Sequence, residues 1–406
     1  MSEAAHIPQL RFPEYSANWS QRLLSDFLIP TLREIEKPKV NYLAIGLRSH
    51  CKGTFQKPDS DPSKIAMEKL FRVKENDLIV NITFAWEGAI AIVKENDEGG
   101  LVSHRFPTYT FDTNITSHHF FKHQFINKRF RYLLDLISPG GAGRNRVMSK
   151  KEFVKLKVPL PSVGEQQKIA AFLTAVDKKI EQLSKKQELL GEYKKGLMQK
   201  IFSQAIRFKA DDGGDYPDWE ELKLGEVARF RRGSFPQPYG NPEWYDDEDG
   251  KPFVQVYDVA GNMRLKSTTK RKISVLAQSS SVFVPKGNVV LTIQGSIGRI
   301  ALTQYDAYVD RTLLIFTGYI KEVNKQFFIY VIYLLFEIEK IKAPGGTIKT
   351  ITKEALTSFK LDLPCFDEQT KIANFLSSID SKIEQVGKQL DKSKQFKKAL
   401  LQQMFV

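Results

Sequence analysis

The sequence contains almost no cysteine and no long apolar run. Cys51 and Cys365 are the two cysteines among 406 residues, so the chain lacks the disulfide framework that small secreted domains use. No apolar stretch approaches the ~18 residues that a membrane helix needs, and the N-terminus shows no basic segment followed by an apolar one. These absences favour a reducing compartment, and we expect a cytoplasmic protein without a membrane partner.

Motifs of catalysis are missing as well. The sequence contains no Walker loop, no Gly-x-Ser-x-Gly motif and no His-Glu-x-x-His motif. His118, His119 and His123 are close in sequence, but no cysteine or nearby acid completes a zinc set. We therefore expect no catalytic residues, no bound metal and no cofactor on this chain. An enzyme that acts alone is the alternative, and methylation or cleavage by the purified chain would reveal it.

Positive charge is what the chain has in excess. It carries 61 Lys and Arg against 47 Asp and Glu, which gives a formal net charge of +14. Such an excess favours a polyanionic partner, because Lys and Arg near phosphates release condensed counterions. The length of 406 residues suits two or three domains.

An internal duplication organises the chain. Residues 158–202 and 361–405 align without gaps, and roughly twenty of about forty-five positions are identical. Outside this segment the halves share only short markers, such as Trp19 and Trp219 near the start of each half. The chain therefore reads as two copies of one design, each with a variable block followed by a shared segment.

The shared segments predict two long helices, at about 165–202 and 368–405. Apolar residues recur in steps of three and four, which is the spacing of a coiled-coil seam. This predicted seam contains Ile169, Leu173, Val176, Ile180, Leu183, Leu190 and Leu197 in the first copy, and Ile372, Leu376, Ile379, Ile383, Val386, Leu390 and Leu400 in the second. Because the segments are copies, we expect an antiparallel pair about a pseudo-twofold axis that holds the variable blocks apart. Alternatively, each helix covers only its own domain.

Polar residues interrupt both seams. Gln187 and Lys194 stand at seam positions of the first copy, and Ser393 and Lys397 at those of the second. A polar side chain at a seam position weakens apolar packing, so we expect looser pairing of the helices there.

The variable blocks, at about 19–157 and 219–360, mix strand-like stretches with one predicted helix each. The helices are predicted at Ser117–Leu136 and Lys325–Ile341. Basic residues gather in loops that also carry glycine, aromatic or amide residues, and such side chains can contact phosphates and base edges. The candidate DNA contacts are Arg33, Lys37, Lys39, Arg48, Lys52, Arg144, Asn145, Arg146, Arg231, Arg232, Ser234, Lys270, Arg271, Lys272 and Lys349.

The two copies of one motif carry a family resemblance. Leu160-Pro-x3-Glu-Gln-x-Lys-Ile-Ala-x-Phe-Leu and Leu363-Pro-x3-Glu-Gln-x-Lys-Ile-Ala-x-Phe-Leu each follow a divergent block and precede a long helix. This arrangement resembles the specificity subunit of type I restriction–modification systems over essentially the whole chain. The resemblance implies an α+β fold of two mixed α/β target recognition domains separated by antiparallel coiled-coil helices. The domains would be residues 1–157 and 204–360, and the shared regions residues 158–203 and 361–406.

The same resemblance implies partners and cofactors. Each recognition domain would read one half of a bipartite site in double-stranded DNA, and the helices would set the spacer. Two methyltransferase subunits, and two restriction subunits where present, would carry S-adenosylmethionine, ATP and Mg²⁺. The candidate residues for binding these partners are Glu165, Gln166, Glu368 and Gln369.

Two further alternatives remain open. The chain could serve a type IIB or IIG-like relative, in which one partner combines methylation and cleavage. It could also be a non-catalytic coiled-coil module that binds proteins, in which case it would show no salt-sensitive DNA binding.

Overall fold

The computed structural model describes residues 7–140, 146–342, 351 and 353–405. The candidate DNA contacts Arg144, Asn145 and Lys349 lie outside the described residues. The chain forms two compact units: unit 1 consists of Met1–Lys186 with Val386–Val406, and unit 2 of Gln187–Gln385. Each long helix therefore contributes one part to each unit. Among the described helices, none has the length and apolar character of a membrane span.

Unit 1 is built from short strands and three short helices before the first long helix. The strands are β1 (Ser20–Leu23), β2 (Leu28–Pro30), β3 (Glu34–Glu36), β4 (Tyr42–Leu47), β5 (Thr54–Ser60), β6 (Lys69–Arg72), β7 (Leu78–Val80), β8 (Ile90–Ile92), β9 (Leu101–Val102), β10 (Thr108–Phe111) and β11 (Lys157–Leu160). The helices are α1 (His118–Gln124), α2 (Lys128–Leu136), α3 (Lys150–Phe153) and the long α4 (Val163–Phe202).

Unit 2 follows the same plan. The strands are β12 (Glu220–Lys223), β13 (Ala228–Arg232), β14 (Lys251–Val254), β15 (Arg271–Ile273), β16 (Val282–Val284), β17 (Val289–Thr292), β18 (Ile300–Leu302), β19 (Ala307–Val309), β20 (Leu313–Tyr319) and β21 (Lys360–Leu363). The helices are α5 (Leu224–Val227), α6 (Val275–Gln278), α7 (Lys325–Lys342), α8 (Lys353–Thr357) and the long α9 (Phe366–Gln403).

The sheets of the two units have the same strand order. One sheet runs β2-β10-β7-β8 in unit 1 and β13-β20-β17-β18 in unit 2. The second sheet runs β5-β4-β9-β6-β3 in unit 1 and β15-β14-β19-β16 in unit 2. Matching strands pair in parallel in the two units, β4 with β9 and β14 with β19. A two-stranded ribbon, β1-β11 or β12-β21, leads into each long helix. The duplication predicted from the shared segments therefore extends through the divergent blocks.

The helix predicted at Ser117–Leu136 is wrong as a single element. The structure divides it into α1 and α2, because Asn127 begins a second helix: its side chain accepts a hydrogen bond from the backbone N–H of Arg129. The helix predicted at Lys325–Ile341 is confirmed as α7. Helix α1 of unit 1 and helix α7 of unit 2 each bury two adjacent Phe side chains completely, Phe120 and Phe121 in α1 and Phe327 and Phe328 in α7.

The prediction of two long antiparallel helices is confirmed within each unit. In unit 1, Ile169 near the start of α4 shares a core with Leu400 near the end of α9. In unit 2, Ile201 near the end of α4 shares a core with Ile372 near the start of α9. Each seam residue predicted above is buried or half-buried.

The two seam lysines do not loosen the pairing as expected. In unit 2 the Nζ of Lys194 lies 2.5 Å from Oδ1 of Asp380, and in unit 1 the Nζ of Lys397 lies 2.5 Å from Oδ1 of Asp177. Asp177 and Asp380 occupy the same position of the repeat, as do Lys194 and Lys397. The same cross-helix ion pair therefore forms in both units, and a charged seam residue is compensated by an acid of the other helix.

Candidate nucleic-acid interface

The Glu-Gln motif of the first copy joins the start of α4 to the segment before β1. We call the segment before the first strand of each unit, β1 or β12, its leader. Glu165 is 1% exposed and accepts two hydrogen bonds from the Arg11 guanidinium, both 2.7 Å long. The Trp19 Nε1–H donates to the same carboxylate at 3.4 Å, and the bond to Glu165 raises the pKa of Arg11. The amide of Gln166 donates to the backbone oxygens of Ile115 and Pro161.

The second copy repeats this arrangement. Glu368 is fully buried and accepts from the Arg207 guanidinium, at 2.8 Å from Nη2, and from Trp219 Nε1–H at 2.9 Å. Gln369 donates to the backbone oxygens of Glu322 and Pro364.

These contacts correct the predicted role of the Glu-Gln motif. Glu165, Gln166, Glu368 and Gln369 are all buried and bonded within their own unit, so their side chains offer no surface to a partner subunit. Their role is to join each leader to its long helix. The sequence held a signal for this role, since an Arg-Phe pair, Arg11-Phe12 or Arg207-Phe208, precedes the tryptophan in both halves.

The exposed end of β13 brings two predicted DNA contacts to the surface of unit 2. The side chains of Arg231 and Arg232 are exposed, whereas Phe230 beside them is buried. Gly233 follows, and a Cβ at this position would lie 2.2 Å from the backbone oxygen of Val309. Only glycine permits so close an approach. Ser234, another predicted contact, donates its hydroxyl to the backbone oxygen of Ser280.

A buried acid organises the loop between β14 and β15. Asp258 is fully buried, and its carboxylate accepts from the backbone N–H of Gln255 at 2.9 Å and of Lys270 at 3.0 Å. Burial raises the pKa of Asp258. The two ends of the loop are thereby held together, which places Lys270 and Arg271 beside the residues that follow β14.

Lys270, Arg271 and Arg311 are among the cations of unit 2 that lie over tyrosine rings. Lys270 lies 5.1 Å from the ring centre of Tyr257, Arg271 lies 3.8 Å from that of Tyr245, and Arg311 lies 5.5 Å from that of Tyr239. We call these six residues the tyrosine–cation face. Cation–π contacts hold the charged groups in place, and the Arg271 Nε–H also donates to Asp247 Oδ1 at 3.1 Å. A cation over a ring still presents further N–H donors, which suit phosphates or bases.

A chain of hydrogen bonds connects this face to a buried carboxylate. The Tyr257 hydroxyl donates to Gln255 Oε1, and the Gln255 amide donates to the Tyr239 hydroxyl. The Tyr239 hydroxyl donates to Asp310 Oδ2 at 3.1 Å, and Asp310 Oδ1 accepts from the backbone N–H and the hydroxyl of Thr312. Asp310 is 1% exposed, whereas Tyr257 is 37% exposed.

The structure joins only some of the predicted contacts of unit 2. Lys270 and Arg271 belong to the tyrosine–cation face, and Lys272 instead donates its Nζ to the backbone oxygen of Glu248 at 2.5 Å. The predicted contacts did not include Tyr239, Tyr245, Gln255, Tyr257, Asp310 and Arg311. The composition of the loops could not identify them, because their proximity depends on β14 and β19 lying side by side.

In unit 1 the corresponding loop, between β4 and β5, also carries predicted contacts. Arg48 and Lys52 are exposed there. Arg48 lies 5.6 Å and Lys57 5.4 Å from the ring centre of Phe55, so this hairpin also combines cations with an aromatic ring. Lys39 is exposed in the preceding loop.

Three other predicted contacts of unit 1 are engaged inside it. Arg33 forms two hydrogen bonds with the buried Asp77 carboxylate, and Lys37 donates to the backbone oxygen of Ile65. Arg146 donates to the backbone oxygens of Asp135 and Ser138 at the end of α2. In the structure these side chains stabilise the loops of unit 1, and contact with DNA remains a prediction for all of them.

The described residues contain no group of three or more His, Cys, Asp or Glu arranged to hold a metal ion. His118, His119 and His123 all lie on α1, and His123 is 1% exposed.

Comparisons with known proteins agree with this description. Residues 28–190 and 216–392 match the family model described as "Type I restriction modification DNA specificity domain". A putative type I restriction enzyme MjaX specificity subunit of Methanocaldococcus jannaschii is 28% identical over 265 residues, which are 63% of this chain and 59% of that protein. The MjaVIII specificity subunit of the same organism is 27% identical over 270 residues, 63% of this chain and 62% of that protein. The chain thus spans about three fifths of the length of these relatives.

Solved structures share the fold at low sequence identity. A type I restriction–modification S subunit from M. genitalium superposes with a TM-score of 0.62 at 16% identity, covering 98% of this chain and 99% of that one. A chain from a structure on complex assembly and conformational transition of the type I R-M system superposes with a TM-score of 0.57 at 18% identity, covering 94% and 96%.

Proposed function

Because the chain belongs to the family of type I restriction modification DNA specificity domains, we propose that it is the DNA-reading subunit of a restriction–modification complex. In this proposal the target has two half-sites, one for the variable block of each unit. The paired helices α4 and α9 set the length of the unread spacer.

The tyrosine–cation face of unit 2 is the observation that carries this proposal. Cations fixed over aromatic rings suit the phosphates of a duplex, and the adjacent tyrosine and glutamine groups suit base edges. The exposed Arg231 and Arg232 precede Gly233, whose backbone closely approaches that of Val309 and Asp310, the residues before Arg311 of this face. The formal net charge of +14 supports binding of the same polyanion.

The chemistry of the complex belongs to partner subunits in this proposal. Two methyltransferase subunits bring S-adenosylmethionine, and restriction subunits, where present, bring ATP and Mg²⁺. The chain itself is non-catalytic and acts in the cytoplasm. The partners bind surfaces other than the buried Glu-Gln motifs.

Methylome sequencing of a host that expresses this chain with its methyltransferase partner tests the proposal. We expect one methylated motif with two specified halves and an unspecified spacer. Replacing residues 19–157 with the corresponding block of another family member should change one half and leave the other half unchanged. A motif without two halves, or a change in both, would overturn the proposal.

A further inference from the structure

The buried end of the hydrogen-bond chain in unit 2 fixes the direction of every bond in it. A carboxylate only accepts hydrogen bonds, so Asp310 obliges the Tyr239 hydroxyl to donate its proton inward. The Tyr239 oxygen can then only accept, which turns the NH₂ group of Gln255 toward it. The carbonyl of Gln255 therefore faces Tyr257 and takes the proton of that hydroxyl.

As a result, the Tyr257 hydroxyl at the surface can only accept a hydrogen bond from a ligand. The single proton of Tyr257 points inward, so its oxygen offers only lone pairs to a ligand. Burial raises the pKa of Tyr257 to about 12 and also raises that of Tyr239, which keeps both hydroxyls protonated at neutral pH. Lys270 over the Tyr257 ring restricts the position of the ring.

We propose that Tyr257 determines one base of the second half-site by accepting a hydrogen bond from an exocyclic amino group. The amino groups in the major groove are those of adenine and cytosine, whereas guanine and thymine present carbonyl oxygens there. A carbonyl opposite Tyr257 would face lone pairs with lone pairs and lose a hydrogen bond. The Asp310 carboxylate thus acts as a positioning residue: it excludes guanine and thymine without touching DNA.

This inference rests on the proposed function, because it requires that unit 2 contact a duplex. It adds that Tyr257 selects adenine or cytosine at one position of the second half-site. It also adds that this selection depends on the buried Asp310 carboxylate. A merely structural role of Asp310 or Tyr257 would change affinity for all duplexes together. Only a reading role changes the ratio between amino and carbonyl bases at one position.

The test measures binding of the full chain, with its methyltransferase partner, to duplexes of the methylated motif. At each position of the second half-site, adenine is exchanged for guanine or cytosine for thymine, which replaces an amino group by a carbonyl. We expect one position where this exchange costs about tenfold or more in the wild-type complex, and where Tyr257→Phe reduces the cost to about threefold or less. Asp310→Asn should also reduce it, because an amide both donates and accepts and lets the chain reverse.

Tyr305→Phe is the matched control. Tyr305 also belongs to unit 2 and donates its hydroxyl to the backbone oxygen of Lys266, but it is outside the chain. It should leave discrimination at all positions unchanged, and thermal unfolding of each variant reports whether it folds. Full discrimination at every position in Tyr257→Phe would overturn the inference, even if Asp310→Asn fails to fold. Absence of sequence-specific binding by the wild-type complex would instead overturn the proposed function.

Discussion

Units 1 and 2 share a framework but differ in how well their polar groups are satisfied. The strand orders, the buried Phe pair and the Arg–Glu–Trp contact recur in both. Asn324 precedes helix α7, and its side chain accepts from the backbone N–H groups of Gln326 and Phe327. Ser117 precedes helix α1 and forms no such bond. The helix with the side-chain cap continues for 18 residues, and the other ends after 7.

The buried polar atoms follow the same division. Gln369 Oε1 accepts from the backbone N–H of Asn324 at 2.9 Å, whereas Gln166 Oε1 has no partner among the described residues. The Tyr330 hydroxyl of α7 donates to Asp380 at 2.6 Å, whereas both ring nitrogens of His123, at the matching place in α1, have none. An unsatisfied buried group costs free energy. At these two matching positions unit 1 leaves polar atoms unpaired that unit 2 pairs, although the buried Tyr319 hydroxyl of unit 2 also has no partner among the described residues.

The largest change in the free energy of unfolding is expected when the Glu of the shared motif, Glu165 in unit 1 or Glu368 in unit 2, is replaced by alanine. Glu165→Ala leaves the 11%-exposed Arg11 side chain without its ion-pair partner, and we expect a loss of about 3 kcal/mol in the free energy of unfolding. Glu368→Ala should cost less, about 2 kcal/mol, because Arg207 is more exposed and keeps Asp218 3.6 Å away. Urea unfolding, with hydrogen exchange to assign the change to a unit, measures both.

Glu221→Ala is the control for this pair. Its partner Lys360 is exposed in the ribbon of unit 2, and solvent screens an exposed ion pair, so the free energy of unfolding should change little. Equal losses in all three variants would mean that burial of the Glu carboxylate does not stabilise the leader.

Acidification should distinguish the units next, because all six histidines lie in residues 1–186. Burial, and then the charge of Lys122 and Lys397, lowers the pKa of His123 to about 3, against about 6.5 in an unfolded chain. Below pH 6.5 the unfolded chain binds the proton first, so unit 1 loses stability as the pH falls toward 4. The slope is at most ~1.4 kcal/mol per pH unit for this residue.

Hydrogen exchange at pH 7 and pH 5 should therefore show faster opening of unit 1 at pH 5. Unit 2 should show no such loss, because the raised pKa of its buried Asp258 favours the folded state as the pH falls. His123→Phe should remove about half of this pH dependence, because burial also lowers the pKa of His118 in the same helix to about 4. The variant should not destabilise unit 1 at pH 7, because the ring nitrogens it removes have no described partner. An undiminished pH slope in this variant would assign the effect to another group.

The parts of the fold that repeat in the sequence were predictable, and the reason is local. The seam from Ile169 to Leu197 shows helical spacing that depends only on neighbours along the chain. The Asp177–Lys397 ion pair was not predicted, because it joins residues that meet only once the helices are antiparallel. The break between α1 and α2 was missed because a single Asn127 cap outweighed a continuous apolar pattern.

The candidate site was predictable only in part for the same reason. Lys270 and Arg271 were found because they are adjacent in a basic run. Gln255 and Asp310 were not, because they come from the ends of β14 and β19, which are neighbours in the sheet and far apart in sequence. Their function depends on the direction of hydrogen bonds, which residue composition does not encode.

The smallest expected effect concerns the two helix starts. Asn324→Ala removes the acceptor for two backbone N–H groups of α7 and should cost about 1 kcal/mol, measured by urea unfolding. Ser117→Asn offers α1 the residue that unit 2 uses, and we expect a gain of a few tenths of a kcal/mol or more, since Ser117 makes no cap bond. A gain would mean that unit 1 lacks only the side chain. No gain would mean that its backbone, rather than its sequence at residue 117, prevents the cap, and that the copies have diverged in the path of the chain as well as in its residues.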